Sequence, residues 1–450
     1  MLHKYENRCF SGWELYYKEM SVLKKLDGFH MFDFAKKLYP INRSITGDGV
    51  RKTLEIIKKE LPNLKIKKVE SGKKAFDWVV PQEWNVEDAY ILCPDGKKIA
   101  DFKKNNLHLV GYSEPVSREI ELDELDTHLY SLPKQPDAIP YVTSYYKRNW
   151  GFCLKDSQRK KLKKGIYKVH IKSNFKKGFL NYGEIVWKGK EKKEIFFSTY
   201  ICHPSMANNE VSGPVLASTL AKYINNMKVK NYSYRMIFIP ETIGSIVYLS
   251  KNITKMKKNV VAGFNLTCVG DNHKYSYIPS RHGDTLADNI LQHVLNFSKI
   301  EYKKYTFLDR GSDERQYCAP GVDLPVVVFC RSKPNDYDEY HTSLDNLNFI
   351  SSDGFQGSFN VMRKVVDSLE INKNIKSNFL CEPQLGKRGL YPQISMKNAY
   401  DEIFLQSNII AYADGRSLLE IAKILNVPIW ELHKILSKLE DNKILSSKII

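Results

Sequence analysis

Between residues 181 and 372, short apolar runs alternate with amphipathic stretches. The run from Glu194 to Ile201 is β-branched and aromatic, which predicts a buried strand. The residues after Pro214 repeat their apolar positions at helical spacing, which predicts a helix to about Ile224. Strands that alternate with helices favour a largely parallel sheet with helices on both faces. Further strands are predicted at 182–187, 236–240, 260–267 and 325–329, and further helices at 244–249, 286–297 and 355–369.

The pattern differs on the N-terminal side of this region. Residues from about Gly12 to Leu61 predict helices, so residues 1–64 are assigned to the α/β domain as its opening helices. Residues 65–180 contain short alternating runs, rich in aromatic residues and interrupted by prolines, a pattern typical of strands. We therefore expect an inserted, mainly β domain at 65–180 and the main α/β domain at 181–372.

The C-terminal part of the chain changes character again. A polar linker is expected at 373–395, and a small domain at 396–450. Apolar periodicity predicts two helices there, at 417–425 and 429–439, joined by a short turn. With a wing at 444–450, these helices predict a winged helix-turn-helix.

Composition narrows the class of protein. With 42% hydrophobic and 27% charged residues in 450, the chain is typical of a soluble globular protein. It has no run of eighteen apolar residues, so no membrane span is expected, and its N-terminus lacks an apolar signal core. The eight cysteines include no Cys-x-x-Cys pair, and several lie in apolar runs, as reduced thiols do. We expect a cytoplasmic location.

The net charge of +18 raises the question of a nucleic-acid ligand. The excess consists mainly of scattered lysines, with few of the interleaved aromatic residues that single-strand grooves use. The second winged-helix helix offers Lys434 and Lys438 but no arginine to read guanine edges. A solvated lysine-rich surface is the simpler interpretation. We therefore expect no nucleic-acid ligand and interpret the winged helix as a packing or dimerisation unit that could build a homo-oligomer.

Polar groups with catalytic potential fall beside the predicted strands. His203 follows the strand at 194–201, and Glu241 follows the strand at 236–240, where open α/β sheets place reactive groups. Singly, each has a simpler interpretation, because a histidine after a strand is more often structural and Glu241 could be a helix N-terminal charge. Two further groups flank the strand at 325–329: Gly311-Ser-Asp-Glu-Arg-Gln316, which contains Asp313, and Glu339-Tyr-His-Thr-Ser-Leu-Asp345, which contains His341.

Together these residues predict hydrolysis of an amide bond. That reaction needs a Lewis acid or a positive hole for the carbonyl oxygen and a base for water. His203 and His341 could hold zinc, and Glu241 could take the proton of the water. Asp345 or Asp313 could orient a histidine from behind.

Longer motifs accompany these groups, and they extend over nearly the full chain. The motifs are Tyr39-Pro-Ile-Asn-Arg-Ser-Ile-Thr-Gly-Asp-Gly49, Phe76-Asp-Trp78, Gln135-Pro-Asp-Ala-Ile-Pro-Tyr-Val-Thr-Ser-Tyr-Tyr146, Cys202-His-Pro-Ser205, Pro240-Glu-Thr-Ile-Gly-Ser245 and Cys381-Glu-Pro-Gln-Leu-Gly386. With the order of His203, Glu241, Asp313 and His341, they resemble the zinc aminopeptidase superfamily, and more closely the bacterial aminopeptidase-like proteins often encoded among polysaccharide-biosynthesis genes. The resemblance implies a phosphorylase/hydrolase-like mixed sheet flanked by helices, an inserted β-rich domain and a C-terminal winged helix.

The resemblance also implies roles for individual residues. His203 and His341 match zinc-ligand histidines, and Glu241 matches the general-base glutamate. Asn209 stands where the superfamily has its bridging aspartate, and Asp271 could supply a carboxylate by a shifted approach. Further departures from the ligand set of two-zinc enzymes are Thr242 and either Thr267 or Cys268, with Glu210 as another substitute carboxylate.

These departures argue against a pair of zinc ions, since a pair needs a bridging carboxylate. They leave open a single zinc ion, which we expect, a different metal or an empty site. We therefore predict a metal-dependent hydrolase of an amide or peptide bond. Its substrate would be a small molecule, a peptide or a glycan conjugate, such as an amino-acid- or acyl-modified sugar in surface-polysaccharide biosynthesis. The alternative is a catalytically degenerate protein that binds a glycan intermediate, and a third hypothesis is a winged-helix nucleic-acid regulator. One measurement distinguishes each hypothesis. A zinc requirement indicates the hydrolase, ligand-dependent stabilisation that survives a chelator indicates the binding protein, and salt-dependent DNA binding indicates the regulator.

Overall fold

The computed structural model describes residues 26–391 and 397–450. The helical prediction for residues 12–25 and the last part of the expected linker, 392–395, lie outside the described residues. Two helices open the described chain, α1 (Gly28–Leu38) and α2 (Asp48–Glu60), and the first strand, β1 (Lys65–Glu70), follows them.

Residues 71–178 form a small β domain of their own. Its main sheet is antiparallel, with the strand order β5-β4-β9-β6, and buries Trp84, Ile91 and Ile171. The insert is shorter at both ends than the expected 65–180, because residues 65–70 and 179–180 belong to the main sheet. The elements are β2 (Lys74–Ala75), β3 (Trp78–Val79), β4 (Glu83–Leu92), β5 (Lys98–Ile99), β6 (Val116–Glu121), α3 (Leu122–Asp126), β7 (Leu129–Tyr130), β8 (Phe152–Cys153), α4 (Asp156–Arg159) and β9 (Ile166–Lys176).

The main domain is built on an eight-stranded sheet with the order β1-β10-β12-β11-β13-β16-β14-β15. The four central strands, β12, β11, β13 and β16, are mutually parallel, whereas β10 and β14 join them antiparallel. This is the expected mixed α/β sheet. Its remaining elements are β10 (Phe179–Trp187), β11 (Glu194–Tyr200), α5 (Ser212–Asn226), β12 (Ser233–Ile239), α6 (Ile243–Asn259), β13 (Val260–Leu266), β14 (Tyr275–Ile278), α7 (Leu286–Phe297), β15 (Tyr302–Lys304), α8 (Glu314–Tyr317), β16 (Val326–Cys330) and α9 (Ser352–Ile371).

The central strands read as continuous apolar runs because both faces of the sheet are covered. Every residue of β11 and β12 is buried. Alternate side chains enter two different cores: Phe197 packs with α5 and α9, and its neighbour Phe196 packs with α6 and the inserted domain. The inserted domain therefore covers the face of the sheet that carries α6.

The C-terminal unit is a winged helix, as predicted. Its sheet has the order β18-β17-β19. The linker prediction for 373–395 is wrong at its start, because β17 directly follows α9 and pairs with β19. The strand is polar except for the buried Ile375, so its apolar signal is a single residue. The elements are β17 (Lys373–Ser377), α10 (Lys397–Ala411), β18 (Asp414–Ser417), α11 (Leu418–Leu425), α12 (Ile429–Asp441) and β19 (Leu445–Ile449).

The winged helix packs directly against the main domain. The buried side chains of α9, α11 and α12 belong to one continuous apolar core. The first N–H of α12, from Ile429, donates to Nε2 of His293 on α7 at 2.9 Å. Within residues 26–391 and 397–450, no helix combines the length and the apolar character needed to cross a bilayer.

Candidate active site

The candidate site lies where the carboxyl ends of adjacent parallel strands meet. His203 follows β11, Glu241 follows β12 and Thr267 follows β13. His341 lies on the loop between β16, the neighbour of β13, and α9. The sheet therefore brings together side chains that are far apart in sequence, at the edge where open α/β folds bind ligands.

His203 is buried and held by a carboxylate. Its Nδ1 lies 3.0 Å from Oε2 of Glu210, and its backbone N–H donates to the same oxygen at 2.9 Å. Its Nε2 lies 3.6 Å from Oε2 of Glu241. Burial acts to lower the pKa of His203, but the neighbouring Cys202, Glu210 and Glu241 raise it well above its ordinary value, so a metal ion at Nε2 would have to displace a proton. Glu210 thus fixes the ring and leaves Nε2 for the site.

Arg43 pairs with Glu210 behind this histidine. Its Nε lies 3.0 Å from Oε1 of Glu210, and both side chains are 1% exposed. Cys202, His203 and Glu210 place possible ligand atoms within 4.8 Å of one another. The guanidinium already neutralises Glu210, however, and burial raises the pKa of the Cys202 thiol to about 11, so this thiol stays protonated. This trio therefore positions His203 and does not itself form a cation site.

His341 faces His203 across the site. The two ring centres are 5.6 Å apart, with 46° between the ring planes. Burial and the neighbouring His203 lower the pKa of His341 to about 3, so its imidazole is neutral, the form that binds metal ions. Its backbone is in the left-handed region, with φ of 55°, and the ring stacks on Tyr340 at 3.9 Å between centres. Such backbone strain is common at functional sites.

Glu241 lies beside the two imidazoles. Its Oε1 accepts a hydrogen bond from the Ser312 hydroxyl at 2.7 Å, and its side chain is 20% exposed. Burial raises the pKa of Glu241, although the nearby His203 acts against this. A partly exposed carboxyl whose pKa is raised has the properties of a general base.

The spacing of the two imidazole rings is compatible with one shared divalent ion. Two imidazoles that share a tetrahedral zinc, about 2.0–2.1 Å from each nitrogen, have ring centres about 5 Å apart. The observed 5.6 Å is close to that value. The buried Oδ1 of Asn209, the doubtful third ligand, has no hydrogen-bond partner in the described part of the chain.

A second ion does not fit. The predicted carboxylate positions hold the neutral residues Asn209, Thr242 and Thr267. The Tyr200 hydroxyl accepts from Nδ2 of Asn209 at 3.0 Å and lies 2.5 Å from Oγ1 of Thr267. Tyr200, Asn209 and Thr267 thus form a buried, neutral hydrogen-bonded network, which supplies no bridging carboxylate for a second cation.

Asp271, the other doubtful metal ligand, is committed elsewhere. Its carboxylate accepts from Nδ2 of Asn208 at 2.8 Å, from the backbone of His273 at 2.8 Å and from the Ser332 hydroxyl at 3.0 Å. The structure therefore makes Asp271 a brace for the loop after β13 and does not bring it to the two histidines.

The two aspartates expected to orient a histidine have different partners. Asp313 accepts from the Thr242 N–H and the Ser245 hydroxyl, each at 2.8 Å, and so fixes the turn that carries Glu241. Burial and the charge of Glu241 raise the pKa of Asp313 to about 8.

Asp345 accepts from the backbone N–H groups of Asn208 and Asn209 at 2.6 and 2.9 Å. Burial raises its pKa to about 6, against the effect of these hydrogen bonds. Asp345 thus holds the turn before α5. Neither predicted aspartate orients a histidine; Glu210 takes that role.

The inserted domain contributes directly to the site. The ring of Tyr141 packs edge-on against His203 and His341, with centre distances of 5.3 and 5.1 Å. Its backbone N–H donates to the His341 carbonyl at 2.8 Å, and the Ser343 N–H donates to the Ile139 carbonyl at 2.9 Å. Segment 139–141 of the insert and the His341 loop are therefore joined as a short strand pair.

The sequence analysis missed Arg43, Glu210 as an orienting group, Tyr141 and Ser312. Three of the four lie inside the motifs already singled out: Arg43 in 39–49, Tyr141 in 135–146 and Ser312 in 311–316. A charged residue within an otherwise turn-like motif, such as Arg43, was the available signal.

Known protein families and one relative match this chain over most of its length. A family model described as domain of unknown function DUF4910 matches residues 32–372, and a winged helix-turn-helix model matches residues 373–447. A Clostridium acetobutylicum protein, provisionally named a polysaccharide biosynthesis protein with an aminopeptidase-like domain, is 45% identical over 88% of this chain and 91% of its own length.

Solved structures agree with this grouping. A crystal structure from Clostridium acetobutylicum, provisionally described as a peptidase, is 41% identical, with a TM-score of 0.88 over 94% of this chain and 96% of its own. A zinc aminopeptidase from Bacillus subtilis, at 14% identity, has a TM-score of 0.56 over 76% of this chain and 94% of its own. The latter shares the fold, and at that identity the likeness extends no further.

Proposed function

Because this chain belongs to the DUF4910 family and has an aminopeptidase-like fold with a C-terminal winged helix, we propose that it is a metal-dependent hydrolase of an amide or peptide bond. One observation carries the proposal. Two imidazoles and a carboxylate of raised pKa lie close together at the carboxyl ends of the sheet strands; they belong to His203, His341 and Glu241.

His203, His341 and the free oxygen of Asn209 would hold one divalent ion, with zinc as the expected metal. A bound zinc ion polarises a substrate carbonyl and lowers the pKa of water. Glu241 takes the proton of the attacking water and returns it to the leaving amine. Ser312 holds Oε1 of Glu241, so Oε2 is left for that proton. Glu210, paired with Arg43, keeps the His203 ring turned with Nε2 into the site.

For the substrate, we propose an amino-acid- or acyl-modified sugar. The support is the name of the Clostridium acetobutylicum relative, which refers to polysaccharide biosynthesis. A cytoplasmic location, the setting for an enzyme acting on a biosynthetic intermediate, belongs to the same proposal.

A second candidate is a catalytically degenerate protein that binds a glycan intermediate. The observation that favours it is the neutral hydrogen-bonded network of Asn209, Tyr200 and Thr267 beside His203. A nucleic-acid role has less support, because the first turn of α12 is bonded to His293 of the main domain. This contact supports the interpretation of the winged helix as a packing unit.

The test combines metal content with turnover. Protein purified without an affinity tag should bind close to one zinc per chain by elemental analysis and release the acyl group from an N-acylated amino sugar. Glu241→Gln should retain zinc and lose turnover, whereas His203→Ala and His341→Ala should lose both. The exposed His282→Ala and Glu431→Gln are the matched controls. Zinc binding far below one ion per chain, or full turnover in Glu241→Gln, would refute the proposal.

A further inference from the structure

An exposed aromatic cluster on the inserted domain has no role in the chemistry described above. Tyr145, Tyr146 and Phe175 line a groove together with Gln82 and Arg148. Trp78 stands at its rim, with its ring centre 6.2 Å from that of Tyr146 and a tilt of 57°. Trp78 is 37% exposed and Tyr146 is 55% exposed. Neighbouring exposed aromatic side chains form a contiguous apolar surface, and large surfaces of this kind mark interaction sites. We call these six residues the aromatic groove.

The aromatic groove adjoins the candidate active site through Tyr145. This residue lies four positions after Tyr141, which touches both histidines. Tyr145 is 36% exposed, and burial together with Cys202 and Glu241 raises the pKa of its hydroxyl. Tyr145 lines both the aromatic groove and an inner cavity beside Cys202, so it separates the two.

The cavities on the two sides of Tyr145 differ greatly in volume. The inner cavity, which Tyr145 shares with Arg43, Tyr141 and Cys202, has a volume of about 10 Å³, enough for about one water molecule. The aromatic groove has a volume of about 160 Å³. Of the two, only the groove has room for a ring-sized group.

The chemistry of the groove matches a sugar ring. A pyranose has an apolar face of C–H groups, which packs on aromatic rings, and an edge of hydroxyls, which needs hydrogen-bonding partners. Both kinds of group are present. Tyr146 and Trp78 offer ring faces, while Arg148 lies 3.8 Å over the Phe175 ring and donates to Oε1 of Gln82 at 2.8 Å.

We propose that the aromatic groove binds a sugar ring of a glycan-conjugated substrate and so positions the scissile amide toward Glu241. The substrate role rests on the proposed hydrolase function, but sugar binding by the groove does not. An aromatic side chain of a peptide would pack on the same rings but would not need hydrogen-bonding partners for hydroxyls. The experiment must therefore distinguish peptide binding from sugar binding.

The experiment measures binding without turnover. Isothermal titration calorimetry is carried out on the Glu241→Gln protein in the presence of a chelator, with the β-1,4-linked trimer of N-acetylglucosamine as the probe. This sugar is uncharged, so the basic surface of the protein cannot attract it by charge. The peptide Ala-Phe-Ala is the comparison probe.

The expected result is saturable sugar binding that weakens at least about fivefold in Trp78→Ala and in Tyr146→Ala. Trp78→Phe and Tyr146→Phe should stay within about twofold of the parent, because each keeps a ring face. Phe404→Ala is the matched control, since Phe404 is an exposed aromatic residue of the winged helix, 66% exposed.

Three results overturn the inference. The first is tripeptide binding that depends on Trp78 and Tyr146, without sugar binding. The second is the absence of any binding of the sugar, and the third is sugar binding that is equally strong in all variants. Failure of the hydrolase proposal looks different, because the wild-type protein would then bind the sugar with the expected variant pattern but release no acyl group.

Discussion

Arg43→Met is expected to destabilise the protein by about 3–5 kcal/mol, because it leaves the Glu210 carboxylate buried without its cation. Both side chains are 1% exposed and lie 3.0 Å apart. Arg43 also donates to the carbonyl oxygens of Leu38, His203 and Pro204. These buried acceptors lose their donor in the same substitution.

The magnitude comes mainly from the unpaired charge. Each lost hydrogen bond is worth about 0.5–1.5 kcal/mol when measured alone, but the losses do not add fully, since they share one side chain. Arg43→Met combined with Glu210→Gln removes the buried charge and should recover at least about 2 kcal/mol of the loss. The control is Arg118→Met. Arg118 and its partner Glu124 are 47% and 53% exposed, and breaking this pair should cost less than about 1 kcal/mol.

Urea unfolding followed by circular dichroism gives the free energy of unfolding of each variant. The reasoning is refuted if Arg43→Met costs no more than Arg118→Met. It is also refuted if the double variant is no more stable than Arg43→Met, since the buried charge would then not be the cause of the loss.

Three further predictions concern the pH, the inserted domain and the metal. As the pH falls from 6.5 toward 4, docking of the winged helix should weaken by up to about 3 kcal/mol. Burial and Lys423 lower the pKa of His293 to about 4, and the protonated ring cannot accept the hydrogen bond from the Ile429 N–H. Hydrogen-exchange protection of residues 418–445, compared with that of α5, checks this, and unchanged protection contradicts it. Tyr141→Ala should lower kcat on the acyl sugar about tenfold or more, while Tyr141→Phe retains it, since the ring edge holds the histidines; equal rates in the two variants would dismiss this role. Zinc at one hundred times its Kd should raise the free energy of unfolding by about 2.7 kcal/mol, measured by calorimetry, and His203→Ala should abolish the increase.

The main sheet could be predicted from the sequence because its strands are buried on both faces and its helices are amphipathic. Helix α7 has the predicted bounds, Leu286–Phe297, since polar residues flank a clear helical repeat. Strand β17 escaped prediction for the opposite reason. It lies at the surface with one buried side chain, Ile375, and a single apolar position gives no period to read.

The sequence predicts which chemical groups follow the strands, but it does not show what those groups contact in the folded protein. His203, Glu241 and His341 follow strands, and strand ends converge by the rules of the fold. The partners of a buried carboxylate depend on the full packing, so the spacing of Asp313 and Asp345 could not show that they bind backbone N–H groups. Likewise, nothing local in the sequence connects Arg43 to Glu210, 167 positions later.

The backbone pairing between segment 139–141 and the His341 loop has a consequence for how this protein can be altered. An appendage attached through flexible hinges can be removed or exchanged while the catalytic residues stay in place. Here the Tyr141 N–H and the Ile139 carbonyl are bonded to the loop that carries His341. Deleting the inserted domain would remove these bonds to the His341 loop. Exchanging the domain between relatives would therefore change the contacts of a catalytic histidine together with any change in selectivity.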